Sequence, residues 1–358
     1  MSEKKERIVL DVAYQPQVRT ATDTRRLMLD VILALMPALV WSVVQFGAAP
    51  LLVVVPSVAS AVFFEWAYRK LMKKNTTVGD LSAVVTGLLL AMTLPPTAPW
   101  WLPVIGSLFA IVVVKQLYGG IGKNFLNPAL AGRAFLLASY ALIMGTYAVP
   151  RALRGAVDGV TMATPLNYLY GEEALPAFFD FRALFLGTIP GAIGEISALM
   201  LLIGGVYLIA RKVISWRIPV SFVGTVALLT LIFGHSGMDR LDWMLANVLS
   251  GGLLLGAFFM ATDYATSPVT QGGQLLYGAG CGAITVLIRA FGGFPEGVSY
   301  AILIMNLCAW AIDKGFRRRQ FGVSKEDIAA EKAAEKAVRA AQVAAEKAAR
   351  AKAKGAVK

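Results

Sequence analysis

Apolar residues along the chain are gathered into long stretches almost free of charge, and polar residues into the connections between them. A membrane-spanning helix needs about 20 mostly apolar residues. Ten segments are candidates: 27–47, 51–71, 80–95, 101–118, 128–149, 194–210, 218–234, 243–261, 274–289 and 297–312. The third and ninth fall short of a full span. They are expected to be broken or tilted helices buried in protein, where irregular backbone at membrane depth is tolerated. The pattern therefore predicts an all-α integral membrane protein of about ten transmembrane helices. Thr86-Gly-Leu-Leu-Leu-Ala-Met in the third segment resembles Ser250-Gly-Gly-Leu-Leu-Leu-Gly in the eighth, and Tyr118-Gly-Gly resembles Phe291-Gly-Gly. Likeness five spans apart corresponds to two inverted five-helix repeats, an arrangement that often holds a ligand at the repeat interface. Gly-rich apolar segments also recur simply because small residues let helices approach.

Short-loop Lys and Arg orient such a protein. One side carries Lys4, Lys5, Arg7, Arg19, Arg25 and Arg26, then Arg69, Lys70, Lys73 and Lys74, then Lys115 and Lys123, then Arg211, Lys212 and Arg217. The other short connections carry only Arg240 and Arg289. Both termini are thus expected in the cytoplasm of a multi-pass protein. The regions are read as a cytoplasmic segment 1–26, a first repeat 27–149, an extracytoplasmic loop 150–193, a second repeat 194–313 and a cytoplasmic tail 314–358. The polar stretch before the first apolar segment does not resemble a cleavable signal peptide.

Composition sharpens this picture. The chain is 57% hydrophobic and 16% charged, with a mean hydropathy of +0.64, against roughly 25% charge in soluble proteins. The net charge of +12 is not spread over a nucleic-acid-binding face, because residues 314–358 carry 13 basic and 5 acidic side chains. That Ala/Lys/Glu-rich tail reads as a solvated helix or frayed segment near anionic membrane lipid. One His and two Cys cannot build a self-contained zinc or iron–sulfur centre. His235 reads as a solvated turn residue, and Cys281 and Cys308 as small apolar packing.

Three polar segments carry candidate chemistry. In the outward loop, Asp158-Gly159-Val160-Thr161-Met162-Ala163-Thr164-Pro165 holds a Thr that Pro165 pushes toward extended backbone. Taken alone, its hydroxyls satisfy a local turn. The second segment, Gly119-Gly120-Ile-Gly122-Lys123-Asn124-Phe-Leu-Asn127-Pro128, forms a loop that opens a span at Pro128, the favoured first-turn position. Arg133, farther along that span, is either paired with Glu65 or Glu195, snorkelling, or functional. The third, Met260-Ala-Thr262-Asp263-Tyr264-Ala-Thr266-Ser-Pro268, ends the eighth span on the same side as the Asn loop. Thr262 and Asp263 there serve either a polar ligand or the helix end. Asp30, Glu65 and Glu195 are candidate cation-path residues, with helix-end pairing as the alternative.

The pattern Asp-Gly-x-Thr-x-Ala-Thr resembles the recognition motif of bacterial flavin transferases, which move FMN from FAD onto the final Thr hydroxyl as a phosphoester. The resemblance makes Thr164 the attachment point, exposed and extended, with Asp158, Gly159, Thr161 and Ala163 as the motif. Met162 departs from the usual Gly. With the Asn loop, the Thr-Asp segment, Gln17-Val-Arg-Thr and Thr93-Leu-Pro-Pro, the chain resembles the RnfD proteins. These are membrane subunits of Rnf ion-translocating ferredoxin:NAD oxidoreductases, paralogous to the NqrB proteins of the Na⁺-pumping NADH:quinone reductase. The longer N-terminal extension of NqrB is absent, which favours the Rnf reading. The resemblance implies a urea-transporter-like inverted repeat, covalent FMN at Thr164, and a non-covalent riboflavin held by Asn124, Asn127, Thr262 and Asp263. It further implies a non-catalytic flavoprotein subunit of a bacterial inner-membrane translocase, with Rnf-type subunits and a flavin transferase as partners. Two other readings stand: an NqrB-like component, and a passive channel with no redox role.

Overall fold

The computed structural model describes residues 23–153, 161–171, 180–234, 238–292 and 296–316, and it is mostly helical. A first unit, Met1–Asp313, holds the hydrophobic core, and a second comprises Lys314–Lys358. The first half begins with α1 (Thr24–Phe46) and α2 (Ala49–Leu71), both 23 residues of nearly unbroken apolar sequence. A 3₁₀ turn, Val78–Asp80, leads to α3 (Ser82–Met92), and α4 (Trp101–Leu108) continues as π-helical turns over Phe109–Gln116. Then come α5 (Pro128–Ser139) and the single turn α6 (Ala141–Met144).

The connecting loop holds the two-residue strands β1 (Tyr147–Ala148) and β2 (Thr161–Met162), paired antiparallel, with α7 (Pro165–Tyr170) and α8 (Phe181–Leu186) after them. The second half contains α9 (Ala198–Ala210), α10 (Arg217–Phe233) and α11 (Arg240–Leu249). It continues with α12 (Leu253–Leu255), which runs on as π-helical turns to Met260. It closes with α13 (Gln271–Phe291) and α14 (Val298–Gly315).

Among the described residues α1, α2 and α13 are each long and apolar enough to cross a membrane alone. The segments Arg240–Leu249 and Leu253–Met260, bent by 59°, make a fourth crossing as a broken pair. Several expected spans are therefore not continuous helices. The segment 80–95 is helical only to Met92, 128–149 breaks after Ser139, 194–210 becomes helical only at Ala198, and 243–261 is the bent pair. Buried irregular backbone survives here because one break satisfies the other. Gly194 N–H donates to Met92 O at 2.7 Å, and Ile193 N–H to Leu94 O at 3.0 Å. The ninth segment corrects the opposite way, since α13 is a full 21 residues. Its polar start is held by Asp313, whose carboxylate accepts from Val269 N–H (3.0 Å) and from Thr270 N–H (3.1 Å).

The packing order repeats along the chain: α2 lies against α3 and α4, α10 lies against α11 and α13, and α1 packs on α9. Small residues set the closest approaches, as expected where apolar lipid gives no drive to helix association. A Cβ on Gly87 of α3 would lie 2.9 Å from Ser57 O of α2, and one on Gly282 of α13 would lie 2.9 Å from Phe222 O of α10.

Candidate functional site

One cavity of about 770 Å³, counting its mouth, opens between the two halves. Asn124, Asn127, Thr262 and Asp263 all line it, together with Lys115, Tyr264 and Phe258. Two of the four polar side chains are largely committed to the fold. Asn127 caps α5, its amide oxygen accepting from Ala129 N–H (3.0 Å) and Leu130 N–H (3.3 Å), while Nδ2 donates to Met260 O at 3.1 Å. Thr262 donates back to Phe258 O at 2.7 Å, as a hydroxyl in a last helical turn commonly does. Asn124 spends Nδ2 on Leu126 O at 3.1 Å. Asp263 accepts from Ala265 N–H (3.4 Å) and the Thr266 hydroxyl (3.3 Å), and its half-buried carboxylate faces the cavity.

Lys115 corrects the reading of a cytoplasmic collar residue: it is 3% exposed. Its Nζ lies 2.7 Å from Glu65 and 2.6 Å from the Ser82 hydroxyl, and Thr77 donates to the other Glu65 oxygen at 2.6 Å. Every oxygen of the buried acid is thus engaged, which a buried ion pair needs to offset its desolvation. Glu65 is therefore not the partner of Arg133. Asp30 pairs with Arg211 at 3.3 Å and accepts from the Tyr207 hydroxyl at 2.8 Å, tying α1 to α9.

Arg133 lies in a second polar cluster. It binds Glu195 at 3.3 Å, the Ser299 hydroxyl at 3.0 Å, and Glu296, which also accepts from Tyr147 at 2.9 Å. Glu296 and Tyr147 carry no signal in the sequence: Glu296 lies in a connection and meets Arg133 only through the fold, and Tyr147, at the end of the fifth predicted span, joins the cluster through Glu296. Arg289, expected among the charges of the outward connections, is instead 2% exposed in the last turn of α13. It donates to Asn247 O (2.7 Å) and Ser250 O (3.2 Å) at the broken end of α11. A charged residue inside the apolar run Thr285-Val-Leu-Ile-Arg289 was the available signal.

Helix α7 packs on this second cluster. Leu166 and Leu169 bury against Trp243 and Ala246, and the Tyr170 hydroxyl donates to the Asn247 side chain at 2.6 Å. Burial of its ring, edge-on to Trp243, holds the Tyr170 phenol above its usual range, so it remains a neutral donor. Thr164 precedes α7 with extended backbone (φ −73°, ψ 156°), as Pro165 predicts, and its side chain makes no capping bond. It is not exposed, however: the residue is 4% accessible. Among the described residues its hydroxyl has no hydrogen-bond partner, and neither do Ser250 Oγ, Arg133 Nε and Arg289 Nε. Such orphans are rare in a finished interior. Thr161 is exposed and Ala163 half-buried, whereas Asp158 and Gly159, like His235, lie outside the described residues. Extended backbone and a buried hydroxyl without a partner among the described residues fit a group attached at Thr164, and the Arg289 guanidinium approaches the same glycine as Leu166, two residues farther on. Among the described residues no cluster of His, Cys, Asp or Glu is suited to hold a metal ion.

Residues 11–322 match the NQR2, RnfD, RnfE family. The chain belongs to this family. It is 49% identical over 321 residues, covering 88% of this chain and 96% of the relative, to the D subunit of the Na⁺-translocating ferredoxin:NAD⁺ oxidoreductase complex of Acetobacterium woodii. It is 42% identical, over 88% of this chain and 97% of the relative, to the D subunit of the proton-translocating ferredoxin:NAD⁺ oxidoreductase complex of Clostridium ljungdahlii. It is also 39% identical, over 85% and 93%, to the D subunit of the ion-translocating oxidoreductase complex of Stutzerimonas stutzeri. The family match spans the cavity, both buried-charge clusters and the Thr164 loop.

Proposed function

We propose that this chain is the flavin-carrying membrane subunit of an Rnf-type complex that couples ferredoxin:NAD redox chemistry to cation movement. It is a subunit of an oxidoreductase and not a catalyst alone. Thr164 is the attachment point for FMN, delivered by a flavin transferase, and the Asn124–Asp263 cavity is the riboflavin site. When bound, these groups supply the electron transfer, and the protein supplies position and a low-dielectric setting. Na⁺ and H⁺ both occur in the relatives' names, so either cation is compatible with this fold. Loop charge favours both termini in the cytoplasm of a bacterial inner-membrane protein, and the repeated packing order supports two inverted repeats.

The observation that supports this reading is a helix pair joining the cavity to the Arg133 cluster. At one end Asn127 of α5 grips Met260. Farther on, Arg133 of α5 holds Glu195, and a Cβ on Gly252 would lie 2.5 Å from that same carboxylate. The α5 helix and the segment 252–262 therefore run antiparallel between the clusters, no more than roughly 15 Å apart at 1.5 Å per residue. A packed rod of this kind would fix the separation of redox groups held near its two ends, which a passive solute channel does not require.

The test is in-gel ultraviolet fluorescence of the denatured chain from cells expressing the transferase. A fluorescent band that disappears in Thr164→Ala is the expected result. A dark wild-type band overturns covalent attachment, and a band surviving in Thr164→Ala overturns the assigned residue. Thr164→Ala should still release flavin on acid extraction, and Asn124→Ala in that background should lose at least half of it.

A further inference from the structure

Arg289 is the largest fully buried side chain among the described residues, and its hydrogen-bond partners among them carry no charge. Its partners are neutral: the carbonyls of Asn247 and Ser250, and the Asn247 amide oxygen at 3.4 Å. Among the described residues it forms no ion pair. The acids nearest by charge, Glu195 and Glu296, are both engaged by Arg133. Helix-end carbonyls carry only about half a charge between them, so the guanidinium retains unspent capacity, and its Nε is unpartnered.

The loop bearing Thr164 is seated on this residue. A Cβ on Gly251 would touch Leu166 at 3.2 Å and Arg289 Nη2 at 3.3 Å, so the first turn of α7 and the guanidinium flank one glycine. At the far end of α7, Tyr170 and Arg289 share the Asn247 oxygen. Thr164, two residues before Leu166, contributes a buried hydroxyl with nothing to bind. Among the described residues, a buried cation without an ion pair meets the first turn of the helix that Thr164 opens, and the Thr164 hydroxyl there is buried without a partner, which together suit a singly negative group attached at that hydroxyl.

We propose that Arg289 is the anion partner of the phosphodiester carried by Thr164, and that this ion pair fixes α7 on α11. The inference rests on covalent attachment at Thr164. A phosphodiester has one negative charge throughout the range in which proteins fold, and a guanidinium matches its two free oxygens with parallel donors. Arg289 is a positioning residue in this role: it holds the tether and, through it, the orientation of the attached ring.

The experiment is a thermal-stability cycle on the detergent-solubilised full chain. Wild type and Arg289→Gln are each produced with and without the transferase, and flavin content is read from the denatured band. Flavinylation is expected to raise the wild-type midpoint by about 3 °C, the scale of one charge-assisted hydrogen bond. In Arg289→Gln that increment disappears, and Arg289→Lys restores part of it. A merely structural Arg289 would lower both midpoints of the Gln variant equally, leaving the increment intact, and that result overturns the proposal. If Arg289→Gln does not accumulate, the ³¹P resonance of flavinylated wild type and Arg289→Lys replaces the cycle. Different shifts support the pair, and coincident shifts overturn it. A wild-type chain without covalent flavin defeats the attachment itself, an outcome distinct from a flavinylated chain whose increment survives.

Discussion

Lys115 and Arg289 occupy similar positions in the two halves, near the end of the helical stretch that precedes a Gly-Gly turn, and both are almost fully buried. Their surroundings differ. Lys115 meets an acid at 2.7 Å and a hydroxyl at 2.6 Å, and its acid is closed off by Thr77. Arg289 meets carbonyls and an amide oxygen, and the hydroxyl of Ser250, whose carbonyl it binds, has no partner among the described residues. The first is a completed ion pair, whose removal would leave a buried charge. The second is a cation without an ion pair among the described residues, at a glycine that Leu166 of α7 also approaches. The comparison teaches that burial of a charge does not by itself mark a ligand site. The unfilled valence around it does.

The largest effect should come from removing each cation in the chain made without transferase. Lys115→Met abandons Glu65 in the interior and should cost about 3–5 kcal/mol. Arg289→Met leaves only neutral acceptors and should cost about 1–3 kcal/mol. Denaturant or thermal unfolding of the two variants in one detergent measures the gap, and equal losses would erase the distinction. A smaller effect is expected from Gly251→Ala. It places a methyl between Leu166 and Arg289 at φ +66°, where a side chain costs about 1–2 kcal/mol. The same substitution should loosen α7, read as faster proteolysis within 161–171. Smallest is Tyr170→Phe, which removes one donor to Asn247 and should lower stability by about 1 kcal/mol while leaving the Lys115 cluster untouched. Loss of flavin content in Tyr170→Phe would instead show that α7 takes part in loading.

Much of the second site is hidden from sequence reasoning for a definite reason. Arg133 invites a search for an acid, and Glu195 is among the alternatives. Glu296 is not, because nothing local distinguishes a carboxylate that folds back from one in a solvated turn. The attachment motif predicts an exposed Thr164, as a transferase substrate must be. The packing of Leu166 and Leu169 on Trp243 instead carries it inward. Attachment at Thr164 would therefore have to precede that packing or accompany its opening. The cavity is more legible: a Gly-rich stretch followed by an Asn-Pro step marks a loop that opens a helix at the Pro. Asn124, Asn127, Thr262 and Asp263 are thus recognisable as helix-end polar groups, although only the fold makes them converge.

By itself the sequence determined that the chain lives in a membrane and roughly where its apolar segments lie, and it singled out Thr164 by its resemblance to an attachment motif. These are local properties, set by hydrophobicity and backbone preference over a few turns. Only the tertiary structure decided which buried charges are matched. Lys115 and Glu65 are 50 residues apart, Arg133 and Glu195 62, and Arg289 and Asn247 42. Pairing at that range depends on which helix faces which. In a low-dielectric interior it determines whether a charge is sealed, as at Lys115, or left open, as at Arg289.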